Sequence, residues 1–172
     1  LDTDTLIKDF LKHYYKKSAG KMQEFLDFLK NHYRQLSMEY KALGARGYHV
    51  SYDVVGHPDV LTEKHWNRDV VEKMEKILDE AAGLADDQTV LDRVKREQLF
   101  VKYLMIELHT YYCSKEELDR RMTEFKELVK QLGNVYNFAH WYEKGKSDPR
   151  SPHRIEAFYS RISCRYPARA DQ

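Results

Sequence analysis

The chain has 172 residues, a length that suits one domain of ordinary size. Charged residues make up 33% with both signs mixed, and the formal net charge is +1, which argues against a nucleic-acid groove or an anionic membrane surface as the main partner. Hydrophobic residues at 42% suffice for a packed core, yet no apolar run approaches the roughly 18–20 residues of a membrane span. Two cysteines, Cys113 and Cys164, leave one pairing open and make no disulfide framework, so the compartment stays open as well. The chain starts at Leu1 with no basic-then-apolar leader and is expected to be a fragment of a larger protein. Thirteen tyrosines favour helix–helix packing with the hydroxyl reaching the surface.

Asp2 or Asp4 can cap a first helix running to about Tyr15. Leu6, Ile7, Phe10, Leu11, Tyr14 and Tyr15 recur at the spacing of one helical face. Asp9 early and Lys16–Lys17 late suit the helix dipole. Ser18 is expected to cap a second helix that ends near Leu43, with Gly44 as its stop. In that helix Met22, Leu29, Leu36 and Leu43 recur every seven residues, and Leu26, Tyr33 and Tyr40 interleave at the same period. This predicts a coiled-coil-type seam and a spine for a bundle.

Residues 45–60 read as a long non-helical connection, punctuated by Gly47, Gly56 and Pro58 and carrying β-favouring Tyr48, Val50, Tyr52, Val54 and Val55. Thr62 is expected to cap a third helix with the stripe Val70, Met74, Ile77, Leu78, Ala81 and Leu84. Asp86–Asp87 then starts a fourth helix. Its seam is Leu91, Val94, Gln98, Val101, Met105, Leu108 and Tyr112, widened by Phe100 and Leu104, which predicts a central helix. Ser114–Lys–Glu–Glu117 is a capping box for a fifth, with Leu118, Met122, Phe125, Val129 and Leu132 on one face and Gly133 as its end. Ser151–Pro152 begins a short further helix, and residues 163–172 read as a frayed tail. The predicted fold class is therefore all-α: an antiparallel helical bundle of five to six helices with one long non-helical connection at about 45–60, in a single helical domain over 1–172.

Motifs for chemistry are missing. A di-iron bundle needs Glu-x-x-His on two helices, and the chain contains none; H-E-x-x-H is absent too. His109 and Cys113 stand four apart, but two ligands fall short of the three or four a metal takes, so no metal and no cofactor is expected. Phosphate loops and a G-x-S-x-G elbow are likewise absent. The carboxylate pairs Asp86–Asp87 and Glu116–Glu117 flank helix starts, where capping and the dipole account for them. One cluster, Tyr136, Asn137, Phe138, His140, Trp141 and Tyr142, combines aromatic faces with polar groups. Such a set suits bundle packing, a domain interface or the C–H face of a sugar ring, and Tyr136, His140, Trp141 and Tyr142 are the ligand or interface candidates.

The run Leu1-Asp-Thr-Asp-Thr-Leu-Ile-Lys-Asp-Phe-Leu-Lys-His-Tyr-Tyr15, followed by Ser18-Ala19, resembles a segment of large Bacteroides-type bacterial proteins that reads approximately Asp-x-Asp-x-Leu-Ile-x-x-Phe-Leu-x-x-Tyr-Tyr-Gly-x-Ala. Leu61-Thr-Glu63, Ile77-Leu-Asp-Glu-Ala-Ala82, Ala85-Asp-Asp87 and Leu91-Asp-Arg-Val94 resemble later helices of the same proteins. These form a glycoside-hydrolase-like family of unknown function, similar in layout to α-glucuronidases. The resemblance covers residues 1 to 112, and Lys16–Lys17 departs from it where a glycine is usual. It implies a non-catalytic accessory helical domain that follows a carbohydrate-processing barrel, packs on that barrel or mediates dimer contacts, and sits in the periplasm or on the bacterial cell surface. A stand-alone protein–protein interaction bundle is the alternative, and a sugar-binding module using Trp141 and Tyr142 the third reading.

Overall fold

A computed structural model of the chain describes residues 2–42, 65–109 and 113–132. All regular structure among them is helical, and none of them is in a strand. In chain order the elements are α1 (Thr3–Tyr15), a 3₁₀ turn (Lys16–Ser18), α2 (Ala19–Ala42), α3 (Arg68–Gly83), α4 (Gln88–His109) and α5 (Lys115–Gln131). The all-α bundle class read from the sequence is the observed one. The connection at 45–60, the helix after Ser151, the tail at 163–172 and Cys164 lie outside the described residues.

The chain divides into two compact units, Leu1–Val101 and Lys102–Gln172, with the division inside α4. In the first unit α2 and α3 run antiparallel. Ser18, just ahead of α2, bonds to Ala81; Lys21 pairs with Glu80; Lys73 lies over Phe28; and His32 and Tyr33 meet Trp66. The α3 partners thus descend as the α2 positions ascend. The core of this unit includes Leu11, Met22, Phe25, Val71, Met74, Leu78, Val90, Val94 and Leu99, each nearly removed from water. Each such side chain contributes about 1.5–3 kcal/mol of transfer free energy, so this interface dominates the unit's stability.

The helix ends follow local chemistry. The Asp2 carboxylate caps α1, accepting from the Asp4 amide at 3.4 Å and from the Thr5 hydroxyl at 3.3 Å. Asp87 caps α4, accepting from the Val90 amide at 2.8 Å, as its place after the α3 stripe predicts. Ser114 caps α5 and accepts from the Glu117 amide at 3.1 Å. The Glu117 side chain turns to Arg121 instead, at 3.0 Å, so the box closes on one side with an i,i+4 ion pair in place of its return bond.

Two expected caps are corrected. The third helix begins at Arg68 under Asn67, whose side chain accepts from the Val70 amide at 3.0 Å; His65 and Trp66 before it are a turn and a bend, so Thr62 is not its cap. Trp66 and Val71 take the N′ and N4 positions of a hydrophobic staple around Asn67, and both are buried. Ser18 does not cap α2. It lies inside the 3₁₀ turn, fully buried, and its hydroxyl donates to the Ala81 carbonyl of α3 at 2.7 Å. Burial leaves the Ser18 hydroxyl proton no water to donate to, and the Ala81 carbonyl of α3 accepts it.

The buried faces are rotated from the predicted ones in three helices. In α1 only Leu11 and Tyr15 are buried, while Leu6, Ile7 and Phe10 are exposed. In α2 the heptad positions Met22 and Leu36 are buried, but their companion is Phe25, at 2% exposure, and not Leu26, at 38%. In α3 Val71 is buried where Val70 was expected, and Leu84 is 48% exposed. α4 shows no exposed side chain from Val90 to Leu108, in keeping with the width of its apolar face. In the second unit every predicted stripe position of α5 (Leu118, Met122, Phe125, Val129 and Leu132) is buried, together with Leu128.

Candidate functional site

The aromatic candidates Tyr136, His140, Trp141 and Tyr142 lie outside the described residues, and so do the side chain of His109 and all of Cys164. Cys113 is buried at the start of the approach to α5. Among the described residues no group of three or more His, Cys, Asp or Glu is placed to hold a metal ion. No helix among them is long and apolar enough to cross a membrane.

The polar side chains of the first unit gather where the α1–α2 joint faces the α3–α4 joint. Lys16 reaches Asp87 at 2.5 Å, Lys17 lies 3.9 Å from Asp86, and Lys21 reaches Glu80 at 2.5 Å and Glu24 at 2.8 Å. Three cations on one joint thus meet three carboxylates on the other. The Lys16 ammonium and the Val90 amide hold the Asp87 carboxyl below the ordinary carboxylate range. Lys21 does the same to Glu80, and both lysines titrate above their ordinary value, Lys16 because of Asp87 and Lys21 because of Glu24 and then Glu80. All of these groups are solvent-reached, so the cluster orients the two joints and adds little net stability. The Asp86–Asp87 pair flagged in the sequence is therefore committed to a cap and to inter-helix ion pairs.

Beneath the ion pairs, Arg93 of α4 lies 3.9 Å over the Tyr14 ring and donates to the Tyr14 carbonyl at 2.6 Å. That bond engages one of the orphan carbonyls at the end of α1 and adds a cation–π contact. One turn further along α4, Glu97 is largely buried and accepts from the Tyr15 phenol. Burial raises its carboxyl above the ordinary value, and the phenol offsets only part of this. A carboxyl whose folded value is raised contributes stability below its unfolded value and loses it as pH rises through the folded value. Glu97→Gln keeps an acceptor for Tyr15 without the charge. It is expected to be more stable than the parent at pH 7 and equal to it near pH 4, as read from thermal melts across that range. A parent whose advantage over the variant grows with pH would contradict this account.

A second gathering is aromatic. The Trp66 ring meets His32 at 4.6 Å, Tyr33 at 5.6 Å in edge contact and Phe100 at 6.3 Å in edge contact. Phe28 stacks beyond His32 at 6.5 Å, and the Lys73 ammonium sits 4.8 Å over the Phe28 ring. Burial pushes the Tyr33 phenol up. Trp66 is 1% exposed, so it offers no face for a ligand ring; the cluster packs α2, the approach to α3 and α4 together. Sequence reading passed over Trp66 because it placed the helix start five residues too early. The signal was the spacing Trp66-Asn67 followed by Val71.

In the second unit Glu124 receives Lys102 at 3.2 Å and Arg120 at 2.6 Å. Its partial burial acts to raise the carboxyl, and the two cations more than offset that, leaving it below the ordinary value.

These observations define an all-α helical scaffold whose described polar groups cap helices and tie joints together. No protein-family model, no curated protein and no solved structure matches the chain.

Proposed function

We propose that the chain is a non-catalytic accessory helical domain of a glycoside-hydrolase-like, carbohydrate-processing bacterial protein, packing on an upstream barrel or mediating dimer contacts in the periplasm or at the cell surface. The observation that carries the reading is the backbone of Lys16. It has φ 46° and ψ −118°, the one non-glycine residue with positive φ among the described residues. That combination belongs to the first central position of a type II′ turn, which glycine dominates. In the resembling segment a single glycine follows the tyrosine pair, where this chain has Lys16–Lys17. A glycine after the tyrosine pair has a physical reason in this fold: the first residue after the pair takes a positive φ at the turn between α1 and α2. Ser18 and Ala19 complete the turn, with the Ser18 hydroxyl on α3.

The flagged carboxylates support a structural role, since Asp87 caps α4 and Glu117 holds Arg121. The purified chain, offered a panel of aryl glycosides and glucuronides, is expected to show no turnover above buffer. Turnover that disappears on replacing one of its own carboxylates would refute the reading.

A second reading, a protein–protein interaction bundle unconnected with sugars, is favoured by one observation. Leu6, Ile7 and Phe10 are exposed together on α1. An upstream gene sequence without a (β/α)₈ pattern would decide for it.

A further inference from the structure

We propose that the joint between α1 and α2 is a hinge for domain swapping: α1 of one chain takes the seat of α1 on a second copy, and in each chain α1 and α2 run on as one helix. The exchange rests on the dimer-contact part of the function proposed above and needs none of its sugar chemistry.

One residue separates the two arrangements. Tyr15 before the joint (φ −108°, ψ 0°) and Ala19 after it (φ −55°, ψ −40°) both lie in the right-handed helical region, and Lys16–Ser18 between them form the 3₁₀ turn. Lys16, with φ 46° and ψ −118°, breaks the helical path. Neither glycine nor proline stands between Tyr15 and Ala19, and lysine is a good helix former. The chain is thus bent at a residue whose own preference is helical. Turning Lys16 into the helical region joins α1 to α2 in a single helix from Thr3 to Ala42, about 60 Å long, and removes the strained backbone. Short hinges under strain invite exchange between copies.

The attachments of α1 are few and transferable. Residues 2–10 are all exposed, and the buried side chains of the helix are Leu11 and Tyr15. Arg93 of α4 adds its bond to the Tyr14 carbonyl at 2.6 Å and its contact with the Tyr14 ring at 3.9 Å. All three residues of α1 lie before Lys16, and Arg93 lies well beyond it. A second copy's α1 therefore brings the same side chains to the same seat, which commits the seat to a copy of this chain. Ser18, after the hinge residue, stays with α2 on its own α3. The pairs Lys16–Asp87 and Lys17–Asp86 lie at the hinge itself, and as solvent-reached pairs they weigh little on either side. The balance is between relief at Lys16 and the freedom lost on association, so the closed chain prevails when dilute and the exchanged pair forms on refolding at high concentration.

The test uses the whole chain. Refolding from urea at about 0.5 mM should give a dimer on size exclusion that persists on dilution, whereas refolding at about 5 µM should give monomer. Dimers refolded from a mixture of ¹³C-labelled and unlabelled chains should show the Tyr14–Arg93 contact between chains in isotope-filtered nuclear Overhauser spectra. In a dimer formed through any other surface that contact stays within one chain. Lys16→Gly suits the turn and resists the helix, so it should lower the association constant about tenfold. Lys16→Ile tolerates the helix and resists a positive φ, so it should raise the constant about tenfold. If Lys16→Ile fails to fold, Lys16→Ala should give a smaller rise for the same reason. A parent chain that refolds only to monomer at about 0.5 mM, a dimer whose Tyr14–Arg93 contact stays within each chain, or equal constants for the glycine and isoleucine variants would each overturn the proposal. Glycoside turnover would refute the accessory-domain reading and leave this exchange untouched.

Discussion

Replacing Trp66 by alanine is expected to cost about 3–5 kcal/mol of unfolding free energy, the largest loss from any single change considered for this protein. Trp66 is 1% exposed and is among the largest of the fully buried side chains. Its ring touches rings from two helices: His32 and Tyr33 on α2 and Phe100 on α4. It also precedes the Asn67 cap of α3. Truncation therefore removes a large buried surface and edge contacts to two of those rings, and leaves a void that three elements would have to close together. The measurement is urea unfolding followed by far-ultraviolet circular dichroism. A midpoint shift with unchanged slope reads the loss directly. Trp66→Phe should keep part of the packing and lose less. A Trp66→Ala loss below about 1 kcal/mol would mean that the cluster is not packed as described, since losses that small are typical of surface positions.

The second large effect has the opposite sign. Lys16→Gly is expected to raise the melting temperature by about 2–4 °C, the shift that about 1 kcal/mol produces in a chain of this size. Holding a non-glycine residue in a sparsely populated left-handed region costs of order 1–3 kcal/mol, and Lys16 sits there with φ 46°. Glycine removes that strain and gives back part of the gain through the greater freedom of the unfolded chain. The substitution also deletes the Lys16–Asp87 ion pair, but both side chains are solvent-reached, 51% and 36% exposed, so the loss is minor. Lys16→Ala separates the two contributions. It deletes the ion pair and keeps the strained backbone, so it should melt no higher than the parent. If alanine and glycine behave alike, the strain account fails. The result would also bear on the family resemblance, which places a glycine after the tyrosine pair.

The two experiments probe different ranges of the folding problem, and what could be read from the sequence divides along the same line. The start of α4 at Asp86–Asp87 and much of α5 were legible in advance: the Ser114 cap and the buried face of Leu118, Met122, Phe125, Val129 and Leu132. These features are local. A cap depends on a side chain and an amide three residues away, and the α5 stripe is narrow enough to have one solution. Thr62 and Ser18 show where local signals compete. Each has the chemistry of a cap, but Asn67 with the Trp66–Val71 staple begins α3, and α3 takes the Ser18 hydroxyl.

Which part of a wide apolar arc becomes core was not legible. Both Leu26 and Phe25 are apolar neighbours of the Met22–Leu36 row, and both Val70 and Val71 suit the α3 stripe; the structure buries Phe25 and Val71. In α1 the arc from Leu6 through Tyr15 reads as one face, and only its Leu11–Tyr15 edge is covered. The candidate site divides in the same way. Of the Asp86–Asp87 pair, Asp87 caps α4 as its place suggested, whereas the lysine partners of the joint's carboxylates come from the α1–α2 joint, some 60 to 70 residues away in sequence. Sequence by itself thus determined that the described chain is all-α, where α5 begins, where α1 and α4 begin to within about two residues, and which residues compete for burial, because propensity, capping and periodicity act within one or two turns. Only the tertiary structure decided which third of each helix meets a neighbour, which hydroxyl is buried, and which lysine meets which carboxylate. Those outcomes depend on the azimuth at which another helix arrives, and that is set by packing of segments distant in the chain.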